Sequence, residues 1–127
     1  YWITDHSRME KTTGRAQAMP RESAKLGQLL LQNGNWNGRQ LLSADFVATM
    51  TTPTSLSKGA YGAGLWTNND HPNKHFFFWG ILGQYIIVIP EKQMVIVRTG
   101  SDENITTDAK GRANQVSFLV EQIGKTF

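Results

Sequence analysis

The stretch HFFFWGILGQYIIVIPEKQMVIVRTG, residues 75–100, decides the fold because it contains three successive runs of strand-forming residues. An aromatic run leads into a Gly-x-x-Gly turn, and two runs rich in Ile, Val and Tyr follow it. The polar connection Pro90-Glu91-Lys92 is too short for a crossover, so the last two runs predict an antiparallel hairpin. With one earlier extended run, the predicted strands are Tyr61–Thr67, His75–Trp79, Gly83–Ile89 and Gln93–Thr99.

The run Tyr85–Ile89 is almost continuously apolar, which is typical of a strand that is buried on both faces of its sheet. The helices predicted from the rest of the sequence would cover one face of this sheet well and the other face poorly. We therefore expect that part of what surrounds the sheet lies outside this chain.

A first helix is predicted over Pro20–Gln32. Pro20 suits the first helical position, and Asn33-Gly34 supplies a left-handed stop. The apolar face of this helix consists of Ala24, Gly27, Leu30 and Leu31. Because glycine has no side chain, Gly27 lets another backbone approach closely.

Two more helices are predicted. After the turn-rich NGNWNGR segment, Ser43 is a suitable N-cap for a short helix that ends before Pro53. Near the C-terminus an apolar stripe at helical spacing is expected to pack on the sheet; its members are Val116, Leu119, Val120 and Ile123. The order of elements predicts the α+β class, an antiparallel β-meander flanked by helices.

Composition excludes several classes of function. The 127 residues suffice for one domain, with residues 1–60 as a helical segment with loops and residues 61–127 as the strand meander plus the C-terminal helix. The net charge of +3 is not concentrated in any Lys/Arg run, so we expect no nucleic-acid partner. Without cysteine there is no disulfide and no thiolate nucleophile. The longest apolar run, Ile86–Ile89, is too short to span a membrane.

The segment Ser55-Leu56-Ser57-Lys58 fits a Ser-x-x-Lys pattern, in which a lysine amine accepts the proton of a serine nucleophile. That chemistry needs both side chains on one face of a helix. Here the tetrapeptide lies between a helix-ending proline and a glycine-rich stretch, so we favour an ordinary loop. The similar segment Arg98-Thr99-Gly100 we interpret as the end of a strand.

Two other groups of residues suggest sites. Asp70, His71 and His75 have a spacing that suits metal ligands, but their asparagine-rich surroundings favour a solvated loop, and we expect no metal and no cofactor. The aromatic run Phe76–Trp79 could stack nucleic-acid bases, but it lacks interleaved Arg or Lys, so we favour a core or pocket wall. His6 beside Asp5 gains no support from other residues.

Three ordered segments carry a resemblance to a known family: PRESAKLGQLLLQNGNWNGRQLLSADFVATM (20–50), YGAGLW (61–66) and WGILGQYIIVIPEKQMVIVRTG (79–100). In this order they resemble the C-terminal part of bacterial class C β-lactamase-type serine hydrolases, especially the 6-aminohexanoate-dimer hydrolase and esterase branch. The opening YWITDHSRMEKTTG (1–14) resembles the segment before the first of these helices, so the likeness covers most of the chain.

The resemblance implies the C-terminal portion of a β-lactamase/penicillin-binding-protein-like fold, and cleavage of ester or amide bonds through an acyl-enzyme. It also implies that the family's Ser-x-x-Lys nucleophile and Tyr-x-Asn-like motif lie upstream of the matching residues. We therefore expect this chain to be inactive alone. Its first residue is Tyr1 rather than Met, which we interpret as processing or truncation.

The third family motif, Lys-Thr-Gly or His-x-Gly, falls on Phe78-Trp79-Gly80, so this sequence departs from the family by lacking the cationic residue. An uncharged aromatic edge favours esters or amides of less polar acids. The resemblance implies that Phe78, Trp79, Gly80 and Gln84 bind substrate. It further implies that Ile81, the residue after the motif, donates its backbone amide to the oxyanion hole.

The expected partners follow from the same resemblance. They are a small ester or amide substrate and the missing N-terminal portion of the same protein, whose strands would pair with Gln93–Thr99. In the chain alone this strand edge would be bare, and we expect a homodimer or aggregation through it. The family favours a periplasmic or secreted location. The alternative is a non-catalytic binding or interaction module with a degenerate form of the same fold.

Overall fold

The computed structural model describes residues 4–9 and 18–127, and the predictions made for residues 1–3 and 10–17 lie outside it. The helices are α1 (Pro20–Leu31), α2 (Ala44–Thr51) and α3 (Asn114–Thr126). The strands are β1 (Asn35–Trp36), β2 (Arg39–Gln40), β3 (Trp66–Asn68), β4 (His75–Gly80), β5 (Gln84–Ile89) and β6 (Met94–Arg98). None of the helices in the described ranges has the length and apolarity needed to cross a bilayer.

The predicted helices are confirmed to within a residue or two of their ends. Pro20 opens α1, and the side chain of Ser43 accepts a hydrogen bond from Phe46 N at the start of α2. Between these helices, the turn-rich segment forms the small hairpin β1–β2. Its Asn37-Gly38 turn has φ values of +49° and +79°, as a type I′ hairpin turn requires.

The main sheet is an antiparallel meander in the order β3-β4-β5-β6, as the sequence predicts. The predicted first strand, Tyr61–Thr67, is wrong in extent, since β3 spans only Trp66–Asn68. Gly62 N donates to Leu65 O over 2.8 Å, and Gly64 has φ of +101°, so the glycines close a tight turn within the predicted strand. Only an isolated bridge joins Tyr61 to Trp66.

Both faces of the sheet are covered, which corrects the expectation that one face would be left poorly covered. On one face, Phe76 and Val88 pack with Leu30 of α1 and Val47 of α2. On the other face, α3 adds two fully buried side chains to a cluster whose members are Phe77, Tyr85, Ile87, Ile89, Ala113, Val116 and Val120. The helices come from opposite ends of the described chain, and each end supplies one layer.

Strand β6 is less well covered than β4 and β5. All five of its residues are only partly buried, and within the described ranges β5 is the one strand that it pairs with. Its outer edge therefore presents unpaired backbone N–H and C=O groups.

Replacing Gly27 by alanine is expected to lower the free energy of unfolding by about 1 kcal/mol. A Cβ atom at Gly27 would lie 2.6 Å from Val95 Cγ1 and 3.0 Å from Ile86 Cγ2, because α1 packs tightly across β5 and β6. Overpacking of this kind costs ~1–3 kcal/mol, which outweighs the ~0.5–1 kcal/mol that alanine gains over glycine inside a helix. The shift in the midpoint of urea unfolding measures the difference.

Gly124→Ala in α3 is the matched control. A Cβ atom there would meet the side-chain amide of Asn73, which can rotate away, so this variant is expected to be as stable as the wild type or more stable. If Gly27→Ala were as stable as Gly124→Ala, the close packing of α1 on the sheet would be contradicted.

Candidate active site

The turn between β4 and β5 presents the residue predicted to donate an oxyanion amide. Ile81 is 86% exposed, and no hydrogen bond from its N–H to an acceptor is found within residues 4–9 and 18–127. Leu82 and Gly83 follow it with φ values of +61° and +79°. Two successive left-handed residues make a sharp turn. Because one of them is leucine, for which this conformation is unfavourable, contacts with neighbouring residues must stabilise the turn.

The strand that leads into this turn has an open edge. Strand β3 pairs with His75, Phe76 and Phe77 of β4 and goes no further. On the side away from β5, Phe78–Gly80 therefore has no strand neighbour in the described part of the chain. An extended substrate can hydrogen-bond to such a free edge.

The predicted substrate-binding residues do not lie together on one face of the sheet. Successive strand residues alternate, so Phe78 lies in the cluster under α1 and α2, whereas Trp79 lies in the cluster under α3. The ring centroid of Trp79 is 5.4 Å from that of Trp66 and 6.2 Å from that of Tyr85. Both aromatics are partly buried, so each contributes to core packing whatever its role toward a ligand.

Gln84, the remaining predicted binding residue, pairs with Gly80 across the hairpin. Its side-chain amide donates to Gly100 O and accepts from Gly100 N over 3.3 Å. The side chain is thereby occupied with the backbone beyond β6. The binding roles of Phe78, Trp79, Gly80 and Gln84 and the catalytic role of Ile81 stay predictions.

The Ser-x-x-Lys segment forms a single 3₁₀ turn over Ser55–Ser57, and Lys58 is left-handed with φ of +52°. The hydroxyl of Ser57 donates to Thr54 O over 2.8 Å and accepts from Tyr61 N over 3.0 Å, so it closes a loop. The loop interpretation is confirmed. Near the N-terminus, the carboxylate of Asp5 accepts from the main-chain N–H groups of Ser7 and Met9, over 2.8 and 3.0 Å.

An ion-pair network that sequence reasoning missed is centred on Arg112, which is 7% exposed. Its guanidinium donates to Asp108 Oδ2 over 2.7 Å, to Asn68 Oδ1 over 2.8 Å and to Asp70 Oδ2 over 3.1 Å. Lys110 Nζ also donates to Asp70, over 2.7 Å, and this hydrogen bond, with that from Arg112, lowers the pKa of the Asp70 carboxyl. The network ties the loop before α3 to β3.

Asp70, His71 and His75, which the sequence suggested as metal ligands, have other contacts. The carboxylate of Asp70 is paired with two cations, and the rings of His71 and His75 meet edge to face with centroids 5.2 Å apart. No group of three or more potential metal ligands is found in the described part of the chain. His75 is 2% exposed; its Nδ1 lies 2.8 Å from Asn73 O, and its Nε2 is buried without a partner.

The burial of His75 predicts a loss of stability in mild acid. Desolvation lowers its pKa from 6.5 to about 4, His71 and Arg112 add to the lowering, and the hydrogen bond to Asn73 opposes it. Between pH 6.5 and about 4 the unfolded chain binds the proton and the folded chain does not. Stability present above pH 6.5 is therefore lost as the pH falls to 4, by roughly 3 kcal/mol at ~1.4 kcal/mol per pKa unit.

Urea unfolding of wild type and His75→Phe at pH 7, 6, 5 and 4 tests this expectation. From pH 7 to pH 4 the free energy of unfolding of the wild type should fall by roughly 3 kcal/mol relative to that of His75→Phe, because phenylalanine cannot bind a proton. His6→Gln is the control, since His6 is exposed. Parallel pH profiles for wild type and His75→Phe would contradict the assignment.

No protein-family model matches the chain, and no curated protein matches it. Among solved structures, the chain is similar to one described as "Putative 6-aminohexanoate-dimer hydrolase from Bacillus anthracis", with a TM-score of 0.74 over 98% of this chain. The chain has part of the β-lactamase-like fold. The predicted α+β class, with an antiparallel meander flanked by helices, is therefore confirmed.

This likeness covers 32% of the solved protein, so the chain spans about a third of that protein's length. The two sequences are 23% identical. At this level the similarity establishes the fold, and the chemistry has to be argued from the residues of this chain.

Proposed function

We propose that the chain is the C-terminal part of a class C β-lactamase-type serine hydrolase that cleaves ester or amide bonds through an acyl-enzyme. In this proposal the nucleophile belongs to an upstream portion of the same protein. The chain supplies the strand that borders the active site, β4, and one of the two amides of the oxyanion hole, that of Ile81.

The observation that carries the proposal is the open edge of β4 running directly into an exposed, unbonded N–H. Phe78–Gly80 has no strand neighbour on one side among the described residues, and Ile81 follows at once. An acyl-transfer enzyme needs both features: an edge to align the substrate and a preorganised donor aimed at the oxygen on which negative charge develops. The β-lactamase-like fold supports the same reading.

The chemistry of this edge suggests the substrate class. Phe78-Trp79-Gly80 stands where the family has its cationic motif, and none of these three residues carries a charge. Such an edge offers no counter-charge to a substrate carboxylate, so the full-length enzyme should prefer short-chain esters or amides of uncharged acids. Faster hydrolysis of cephalosporins than of p-nitrophenyl acetate would contradict this preference.

The first experiment is to read the encoding reading frame upstream of Tyr1. It is expected to continue for a few hundred residues and to contain Ser-x-x-Lys at the start of a helix. The upstream portion is then produced separately and mixed with this chain, and hydrolysis of p-nitrophenyl acetate is followed. Activity of the mixture, with neither part active alone, is the expected result; a folded complex without activity would favour a non-catalytic binding module.

The edge of β6 gives the complex a route for assembly. We propose that strands of the upstream portion pair there and that the isolated chain self-associates through the same edge. Sedimentation of the chain at increasing concentration should show dimers or larger species, and addition of the upstream portion should suppress them. A monomer at every concentration would contradict this route.

A further inference from the structure

We propose that Arg98 is a positioning residue for the turn Ile81–Gly83, acting with Asp102 and Gln115 as a polar clamp beneath it. The three clamp residues come from the end of β6, the following loop and the first turn of α3. The consequence for catalysis rests on the function proposed above, but the clamp itself is a property of this chain.

Two of the three carbonyl groups of the turn, those of Leu82 and Gly83, accept hydrogen bonds from clamp residues. Arg98 Nη1 donates to Gly83 O, and the main-chain N–H of Asp102 donates to Leu82 O over 3.1 Å. With these oxygens bonded, the peptide planes on either side of Gly83 cannot rotate freely. The Ile81 N–H has no such partner in the described residues, and Ile81 is 86% exposed, so solvent or a ligand can reach the turn.

The clamp residues also hold one another. Arg98 Nη2 lies 3.9 Å from Asp102 Oδ2, the side-chain amide of Gln115 donates to the same carboxylate, and the Arg98 guanidinium lies 5.8 Å from the centroid of the Tyr85 ring. The side chains of Arg98 and Asp102 are 29% and 27% exposed, so both are partly withdrawn from water. A guanidinium fixed on two sides is a better anchor than a free surface cation.

The packing around the turn restricts which residues can occupy positions 82 and 83. A Cβ atom at Gly83 would collide with the Arg98 guanidinium, so the left-handed glycine and the arginine are matched to each other. Leu82 is held at φ of +61°, a conformation that a leucine adopts only when its neighbours impose it. The bond from Asp102 N to Leu82 O and the bond from Arg98 to Gly83 O contribute to that constraint, and in the proposal they steady the Ile81 N–H that precedes them.

Backbone ¹⁵N relaxation of the 127-residue chain tests the clamp directly. In the wild type, the order parameters of Ile81 and Leu82 are expected to approach the ~0.85 of rigid backbone. In Arg98→Met they should fall below about 0.6. Arg98→Lys keeps the charge and one donor, so it should give intermediate order parameters. Asp102→Asn should also give intermediate values, because it weakens the interaction with the guanidinium but keeps the main-chain hydrogen bond to Leu82.

Two controls separate local loosening from unfolding. Arg39→Met removes an exposed arginine of the small hairpin and should leave the order parameters of the turn unchanged. Amide exchange at Ile87, in the buried centre of β5, should stay slow in every variant; if Arg98→Met fails to fold, Arg98→Lys and Asp102→Asn decide the matter. Order parameters at Ile81 and Leu82 that stay at wild-type values in the folded variants would overturn the proposal.

Activity adds a second, separable readout in the full-length enzyme. Arg98→Met should lower kcat for p-nitrophenyl acetate by roughly 10-fold or more with little change in KM, because a misplaced donor weakens the transition state more than substrate binding. If the order parameters respond as expected but the full-length wild type hydrolyses no ester, the clamp stands and the proposed function fails.

Discussion

Replacing Ile81 by proline is expected to lower kcat for ester hydrolysis by the full-length enzyme by about 10²–10³-fold, the usual effect of removing one oxyanion donor. Proline has no N–H, so the substitution deletes the proposed donor and little else. Two features of the backbone favour proline here: Ile81 is not among the residues with positive φ, and Gly80 before it ends an extended strand. At 86% exposure the side chain contributes little packing.

Ile81→Ala is the matched variant, because it truncates the same exposed side chain and keeps the N–H. It should retain kcat within a few-fold of the wild type, while KM changes little in either variant. Initial rates with p-nitrophenyl acetate across a range of concentrations separate kcat from KM. If the proline and alanine variants had equal kcat, the Ile81 amide would have no part in the oxyanion hole.

Replacing Arg112 by methionine is expected to destabilise the chain by about 3 kcal/mol, near the lower end of the ~3–5 kcal/mol measured when one partner of a buried ion pair is removed. Arg112 is 7% exposed, and its guanidinium donates to Asp108, Asn68 and Asp70. Asn68 is itself 4% exposed, so its side-chain oxygen would be left buried without a donor. The carboxylates are more exposed, and water can compensate them in part.

The pKa of Asp108 reports the same loss. Burial raises it, but hydrogen bonds from Arg112 and Lys110 outweigh burial and hold it below the ordinary value. NMR titration should show the pKa of Asp108 rise in Arg112→Met. Lys110→Met is the control for stability, since it breaks only an exposed pair with Asp70 and should cost no more than ~1 kcal/mol. Similar unfolding free energies for Lys110→Met and Arg112→Met would contradict a structural role for the buried guanidinium.

Local patterns were sufficient to predict most of the fold. The β4–β5–β6 meander follows from alternating and continuous apolar runs around short turns, and α1 and α2 follow from their caps. The prediction of a strand over Tyr61–Thr67 was wrong in extent, because the two glycines of this run favour a turn more strongly than its aromatics favour a strand. Coverage of the second face was misjudged because the apolar stripe of α3 indicates that this helix packs on the sheet but does not indicate on which face.

The candidate site was predictable only where it lies within one segment. The turn Ile81–Gly83 could be placed by its Gly-x-x-Gly pattern and by the family resemblance. The clamp and the Arg112 network could not, because their members are brought together from separate elements; Arg112 and Asn68 are separated by 44 positions. One signal for the clamp was present in the sequence: Arg98 directly follows the apolar run Met94–Val97, and Arg98-Thr99-Gly100 was interpreted only as the end of a strand.

The arrangement of α1 and α3 on opposite faces of one hairpin also constrains the order in which the chain acquires structure. During synthesis α1 emerges well before β5 and β6, the surface on which it packs, so its apolar face stays without a partner until the hairpin has been made. Helix α3 is synthesised after both strands of the hairpin, and the second face of the hairpin stays exposed to water until α3 docks on it. Contacts of such long sequence separation slow folding and expose sheet surface in the meantime. Between the first strand pairing and the docking of α3, the exposed sheet surface is prone to aggregation. We therefore expect a nascent chain with this arrangement to need protection by upstream residues of the same protein or by a chaperone.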